Sequence, residues 1–110
     1  MDFKEYEKEM KRTAGEFIKL DKKGLALGAM GGISGEAGEV TDYIKKVLFH
    51  EHELCEDNLI EELGDVLWYI TYLSKVIGVD LETIANRNIE KLRKRYPEGW
   101  DPNRSIHREK

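Results

Sequence analysis

Apolar residues recur three and four positions apart along most of this chain, the period of an amphipathic helix. Residues 2–20 put Phe3, Tyr6, Met10, Ala14 and Phe17 on one side, with Lys4, Lys8, Arg12 and Lys19 largely opposite. A break follows at Asp21-Lys22-Lys23-Gly24, then a second pattern over 25–48. Its apolar sector holds Ala26, Ala29, Met30, Ile33, Ala37, Val40, Ile44, Val47 and Leu48, and its solvated side Asp42, Lys45 and Lys46. Residues 49–56 read as a turn. Asp57 stands where an N-cap would start the third pattern, 58–77, which Gly78 ends. That segment is apolar nearly all round, which predicts the most buried element. Asp80 caps a fourth helix, 81–96, with the apolar line Leu81, Ile84, Ala85 and Leu92. The only prolines, Pro97 and Pro102, lie beyond it in a turn-rich tail, 97–110, which Trp100 packs down and whose residues 103–110 should be loosely ordered. The expected fold is all-α: one domain over 1–110, a compact bundle of four main helices with an antiparallel central pair.

Two acidic pairs interrupt this pattern. Glu36 and Glu39 are three residues apart, and so are Glu62 and Asp65. Residues at that spacing share one side of a helix. Glu36 falls inside the apolar sector of its helix and Glu39 just off its edge, beside Tyr43. Glu62 and Asp65 repeat the arrangement among Leu59, Leu63, Val66, Tyr69, Ile70 and Leu73. Charged residues make up 36% of the chain, so such spacings also arise by chance on solvated faces. The phase weighs against chance, because an acid on an apolar face is costly unless it is paired or bound to metal. The turn makes the two helices antiparallel and sets the pairs at similar depth, within about one helical turn. Four adjoining carboxylates cannot all stay ionised without a cation.

Six glycines, Gly24, Gly28, Gly31, Gly32, Gly35 and Gly38, crowd the approach to the first pair. In α-helical phase they form a smooth stripe opposite the apolar sector, suited to a neighbouring helix, such as one from a second subunit. Two alternatives stand beside this reading: a frayed or partly non-helical start over 24–32, and a phosphate loop, although G-x-x-x-x-G-K-[ST] is absent.

A net charge of −4 argues against a general nucleic-acid binder. No apolar run is long enough to cross a membrane, and the N-terminus is not a signal peptide. A soluble cytoplasmic protein is expected. Cys55 is the sole cysteine, which excludes an internal disulfide. His50 and His52 flank Glu51 in the turn, where a His-x-His pair either binds a metal or is solvated. On the fourth helix Asn88, Lys91 and Arg95 share the side of the apolar line. They either snorkel from a core edge or hold a polyphosphate beside the acids.

The donors of the acidic pairs are all hard oxygens, which favours Mg²⁺, with Mn²⁺ as a substitute. Mg²⁺ keeps open positions for substrate phosphates and lowers the pKa of a bound water, whose proton a free carboxylate accepts. Lys91 and Arg95 would take charge developing on the leaving phosphates. The chain resembles the MazG-type nucleoside triphosphate pyrophosphohydrolases. Glu36-x-x-Glu39, a spacer of twenty-two residues and Glu62-x-x-Asp65 match that family's acidic signature. So do the flanks Gly35-Glu36-Ala37-Gly38-Glu39-Val40 and Glu61 to Tyr69, and Asn88-Ile89-Glu90-Lys91-Leu92-Arg93-Lys94-Arg95-Tyr96-Pro97. The resemblance covers roughly residues 25–105. It implies hydrolysis of a (d)NTP between the α and β phosphates to monophosphate and pyrophosphate, suited to nucleotide-pool house-cleaning. It also implies Mg²⁺ held by Glu36, Glu39, Glu62 and Asp65, and homodimers or homotetramers with sites near subunit contacts. The glycine-rich approach and the single domain depart from the best-known members and leave the substrate open; related enzymes act on dUTP or phosphoribosyl-ATP. A non-catalytic helical dimerisation module is the alternative from another class. For the base, Tyr69 ranks first, one turn beyond Asp65, followed by Trp68, Tyr72 and Trp100; aromatic residues at helical spacing equally serve as core.

Overall fold

A computed structural model describes residues 1–14 and 21–107. Its elements are α1 (Phe3–Ala14), α2 (Lys22–Ala26), a π-helical stretch (Leu27–Ile33), α3 (Ser34–Phe49), α4 (Glu56–Val76), α5 (Leu81–Arg95) and α6 (Pro102–Ile106). Every named element is helical. α2, the π stretch and α3 run on without interruption, so four long helices form the body as the periodicity predicts. The sequence assignments for Phe17 and Lys19 fall outside the described residues.

The caps show where each helix begins. Asp80 accepts a hydrogen bond from the Thr83 amide at 2.8 Å and starts α5 as expected. Gly78, at φ 77°, ends α4, and the next amide, Val79 N–H, closes on the Ser74 carbonyl at 2.9 Å. Three assignments need correction. Asp21 belongs to a helix start, not to a break: its carboxylate accepts from Gly24 N–H at 2.7 Å, and the helix begins at Lys22. Asp57 does not cap α4; Cys55 holds that position, and Asp57 lies in the first turn, where its charge still suits the helix dipole. The tail is not uniformly loose, because Asp101 accepts from Asn103 N–H at 2.9 Å and starts α6 with Pro102 in its first turn.

α4 is the central element. Thr13 meets Trp68 and Glu7 meets Lys75, so α1 runs antiparallel to α4. Met10, Ala14, Tyr72 and Val76 form the buried cluster between them, with Tyr6, Trp68 and Leu73 packed around it. Burial is confined to the second half of α4, where Thr71, Tyr72, Ser74 and Val76 are buried. Its first half is open: Ile60 is 63% and Leu63 51% exposed. The expectation of an element buried along its length therefore holds only for half of it. Thr71 and Ser74, both fully buried, return their hydroxyls to carbonyls of their own helix, at 2.8 and 2.7 Å.

Glu7 ties three helices together. Its buried carboxylate accepts from Lys75 Nζ on α4 at 2.7 Å and from the backbone N–H of Leu81, at the start of α5, at 2.7 Å. The Lys75 hydrogen bond, foremost, and the Leu81 amide hold the Glu7 carboxyl below its ordinary value, against the opposing effect of burial.

The glycine-rich stretch is helical, which overturns the frayed-start alternative, but its phase differs from that of an α-helix. In the wider π turn each residue advances by less rotation, so the residues upstream of Ile33 slip round relative to α3. Gly28 and Gly32 thereby face α4, and a side chain on either would collide with Leu73 or with the Tyr69 ring. Met30, expected in the apolar sector, is 78% exposed. The stripe thus divides: Gly28 and Gly32 admit the α4 side chains, whereas Gly31, Gly35 and Gly38 meet nothing.

Candidate active site

The glycine contacts set the register of the two acid-bearing helices. Gly28 packs on Leu73 and Gly32 on Tyr69. Each step of four forward on one helix is a step of four back on the other, which brings Glu36 opposite Asp65. Close approach at the two glycines therefore positions the carboxylates one turn further on.

Glu36, Glu62 and Asp65 each offer an oxygen, and the three oxygens lie within 4.8 Å of one another. Glu36 and Glu62 are half-buried and Asp65 is exposed. The helical phase placed Glu36 and Glu62 inside their apolar sectors and Asp65 at an edge, and the structure does the same. Glu39 is exposed and stands outside the three-oxygen group. Its charge still reaches Glu36. Burial first, then the charges of Asp65, Glu62 and Glu39, holds the Glu36 carboxyl above its ordinary value.

The donor set fits a hard divalent cation. All three donors are carboxylate oxygens, and no histidine or cysteine joins them among the described residues. His50 and His52 are exposed on either side of Glu51, whose φ is 60°. Neither enters a group of three possible ligands among the described residues.

Two further tyrosines bear on the acid-bearing helices. Tyr6, on α1, has its phenol held above the ordinary value by burial and then by the Asp65 charge. Its signal in the sequence was only that of one more core position. Tyr43 lies one turn past Glu39. Its hydroxyl accepts from Cys55 N–H at 2.7 Å and donates to the Cys55 carbonyl at 3.3 Å, pinning the connection between α3 and α4 below the acids.

The residues expected to handle phosphate are not gathered here within one chain. Asn88 and Lys91 are exposed and Arg95 half-exposed on α5. Among the described residues no ion pair joins Lys91 or Arg95 to any of the four acids. α5 packs instead on α1 and α4. Of the aromatic residues, Tyr69 and Trp68 line a cleft one turn from Asp65. Trp100 does not join them: it is 70% exposed and sits 5.1 Å from the Tyr96 ring, in a groove bordered by Ile89, Leu92 and Arg95. It packs little of the tail.

No helix of the described residues is long and apolar enough to cross a membrane. Comparison with known proteins gives two matches and one absence. The family model of the MazG nucleotide pyrophosphohydrolase domain matches residues 27–100. The Gene 37 protein of Mycobacterium phage L5 is 38% identical over 81 residues, covering 70% of this chain and 70% of that protein. No solved structure matches. The matched span contains both acid-bearing helices, the glycine contacts that set their register, and α5, and the chain belongs to the MazG nucleotide pyrophosphohydrolase family.

Proposed function

We propose that this protein hydrolyses nucleoside triphosphates between the α and β phosphates, releasing monophosphate and pyrophosphate, with Mg²⁺ or Mn²⁺ held by Glu36, Glu62 and Asp65. The observation that carries this reading is the convergence of three carboxylate oxygens within 4.8 Å from two antiparallel helices. The ion would supply neutralisation of the phosphate oxygens and a more acidic water. Burial first, then the charges of Asp65, Glu62 and Glu39, disfavour the Glu36 carboxylate, and a cation beside it would offset both. Glu39, outside the three-oxygen group, is the carboxylate left to accept the proton of the attacking water. Lys91 and Arg95, with Asn88 one turn before Lys91, are the groups for the charge on the departing pyrophosphate.

The acting species in this reading is a homodimer or homotetramer. The chain presents 8712 Å² of surface, against about 6,300 Å² for a compact monomer of 12.8 kDa. Its radius of gyration is 16.9 Å, where about 13 Å suits a compact domain of this length. Exposed Met30, Ile60 and Leu63 flank the acid-bearing helices, and exposed Ile89 and Leu92 lie on α5. A second copy would cover such surface and bring further cations toward the acids.

Product analysis tests the reaction. Incubation with Mg²⁺ and a panel of NTPs and dNTPs, followed by separation of the nucleotides, should give monophosphate and pyrophosphate. Diphosphate with orthophosphate would place cleavage at the wrong bond, and no turnover of any nucleotide would overturn the assignment.

A further inference from the structure

Beyond α5 the chain turns back and leaves a small pocket at the corner of α5 and α6. Arg95, Asn103, Arg104 and His107 line a space of about 170 Å³. That is room for about five waters and lies well below the range of sites for whole small molecules, so it suits a compact ion. Each lining side chain carries a hydrogen-bond donor: two guanidinium groups, a carboxamide and an imidazole. No carboxylate lines the space among the described residues.

The corner is built from within the chain. Gly99, at φ 91°, helps turn the backbone after α5. Asp101 accepts from Asn103 N–H at 2.9 Å, so the acid that starts α6 is already engaged. Arg104 Nε donates to the Arg95 carbonyl at 2.7 Å. One N–H of the Arg104 fork therefore holds the last carbonyl of α5, and its four Nη hydrogens remain for the pocket. Neither guanidinium is ion-paired among the described residues. Residues 91–107 carry five lysines and arginines against two acids, Glu98 and Asp101, in a chain of net charge −4. Like charges gathered without a counter-ion repel one another, and an anion between them removes that cost.

We propose that this corner is an oxyanion site that takes the end of a phosphate chain, with Arg95 and Arg104 forking onto its oxygens and Asn103 and His107 donating beside them. An arginine fork matches two phosphate oxygens at once, which a lysine ammonium does not. Naming the anion as the pyrophosphate of the reaction rests on the pyrophosphohydrolase reading, and adds Arg104, Asn103 and His107 to Arg95; the pocket as an oxyanion site stands without it.

The test is titration calorimetry of the full chain in EDTA, where no divalent ion can hold phosphate at the acids. Inorganic pyrophosphate should bind one site per chain. Arg104→Ala should weaken it by about ten-fold or more, and Arg104→Lys, which keeps the charge without the fork, by an intermediate factor. Arg95→Ala leaves the carbonyl that Arg104 caps in place, and should show the same loss with an unchanged thermal midpoint. Arg87→Ala, an exposed cation elsewhere on α5, should leave affinity unchanged. ATP and AMP identify the source of the phosphate: ATP within ten-fold of pyrophosphate means that the pocket takes a chain end either free or on a nucleotide, and pyrophosphate alone means the free ion. AMP as tight as pyrophosphate, no binding of pyrophosphate in EDTA, or equal losses from Arg87→Ala and Arg104→Ala would overturn the site. Turnover of nucleotides without that binding would leave the pyrophosphohydrolase reading standing and remove the pocket; binding without turnover of any nucleotide would do the reverse.

Discussion

Replacing Glu7 by alanine removes a carboxylate that α1, α4 and α5 share. The Glu7 and Lys75 side chains are 9% and 16% exposed, so the ammonium left behind has little water to turn to. Breaking a buried pair from one side costs about 3–5 kcal/mol. The partial exposure of Lys75 argues for the lower end, and loss of an acceptor for Leu81 N–H adds to it without being fully additive. A net loss of about 3–4 kcal/mol is expected, a fall in melting midpoint of about 15 °C for a chain of this size. The assay is thermal and urea unfolding at fixed protein concentration, since association would shift the midpoint. Two controls separate an unpaired charge from simple loss of contact. Glu7→Leu combined with Lys75→Leu removes both charges and should recover most of the loss. Glu7→Gln keeps the shape and an acceptor for Leu81, and should cost about 1–2 kcal/mol. The pH dependence has a definite sign. The Glu7 carboxyl is held below its ordinary value in the folded state, so its contribution is complete above the unfolded value and is lost as pH falls through the folded one. The stability gap between the natural chain and Glu7→Gln should be full above about pH 5 and close on acidification. A cost below about 0.5 kcal/mol for Glu7→Ala, or a double variant as unstable as the single one, would refute the clamp.

Glu36→Gln and Asp65→Asn should each lower turnover by about 100-fold or more, as expected for loss of several kcal/mol of charge stabilisation. Because burial and three acidic neighbours disfavour the Glu36 charge, Glu36→Gln should also melt higher than the natural chain in EDTA, and Mg²⁺ should narrow that difference. Adjacent glycines should respond with opposite sign. Gly31→Ala meets nothing and should stabilise the helix by about 0.5–1 kcal/mol, whereas Gly32→Ala strikes the Tyr69 ring and should cost about 1–3 kcal/mol; equal effects in unfolding experiments would refute the π-shifted register. Lys91→Ala and Arg95→Ala should weaken turnover while moving the melting midpoint by less than about 2 °C, because neither side chain is buried and neither is ion-paired among the described residues.

The sequence by itself determined the helices, because a 3.6-residue apolar period with Asp80 and Gly78 at its ends is local information. It also determined the acid pairs, since Glu36 and Glu62 broke the apolar sectors at positions that the structure keeps half-buried. Short-range signals failed where two competed: Asp21, read as part of a break, has a carboxylate within reach of an amide three residues on, and Asp101 caps α6 through an amide two residues on. The tertiary structure alone decided the phase of the glycine stretch. A π turn differs from an α turn by a small rotation per residue, and no residue pattern announces it. What selects it is the bulk of Tyr69 and Leu73, far off in the chain, which fit only where Gly32 and Gly28 are bare. The same contact set which acids meet, leaving Glu39 outside a group that its spacing alone would have included. The Glu7–Lys75 bond was likewise invisible, because α1 shows an ordinary amphipathic face until it docks on α4.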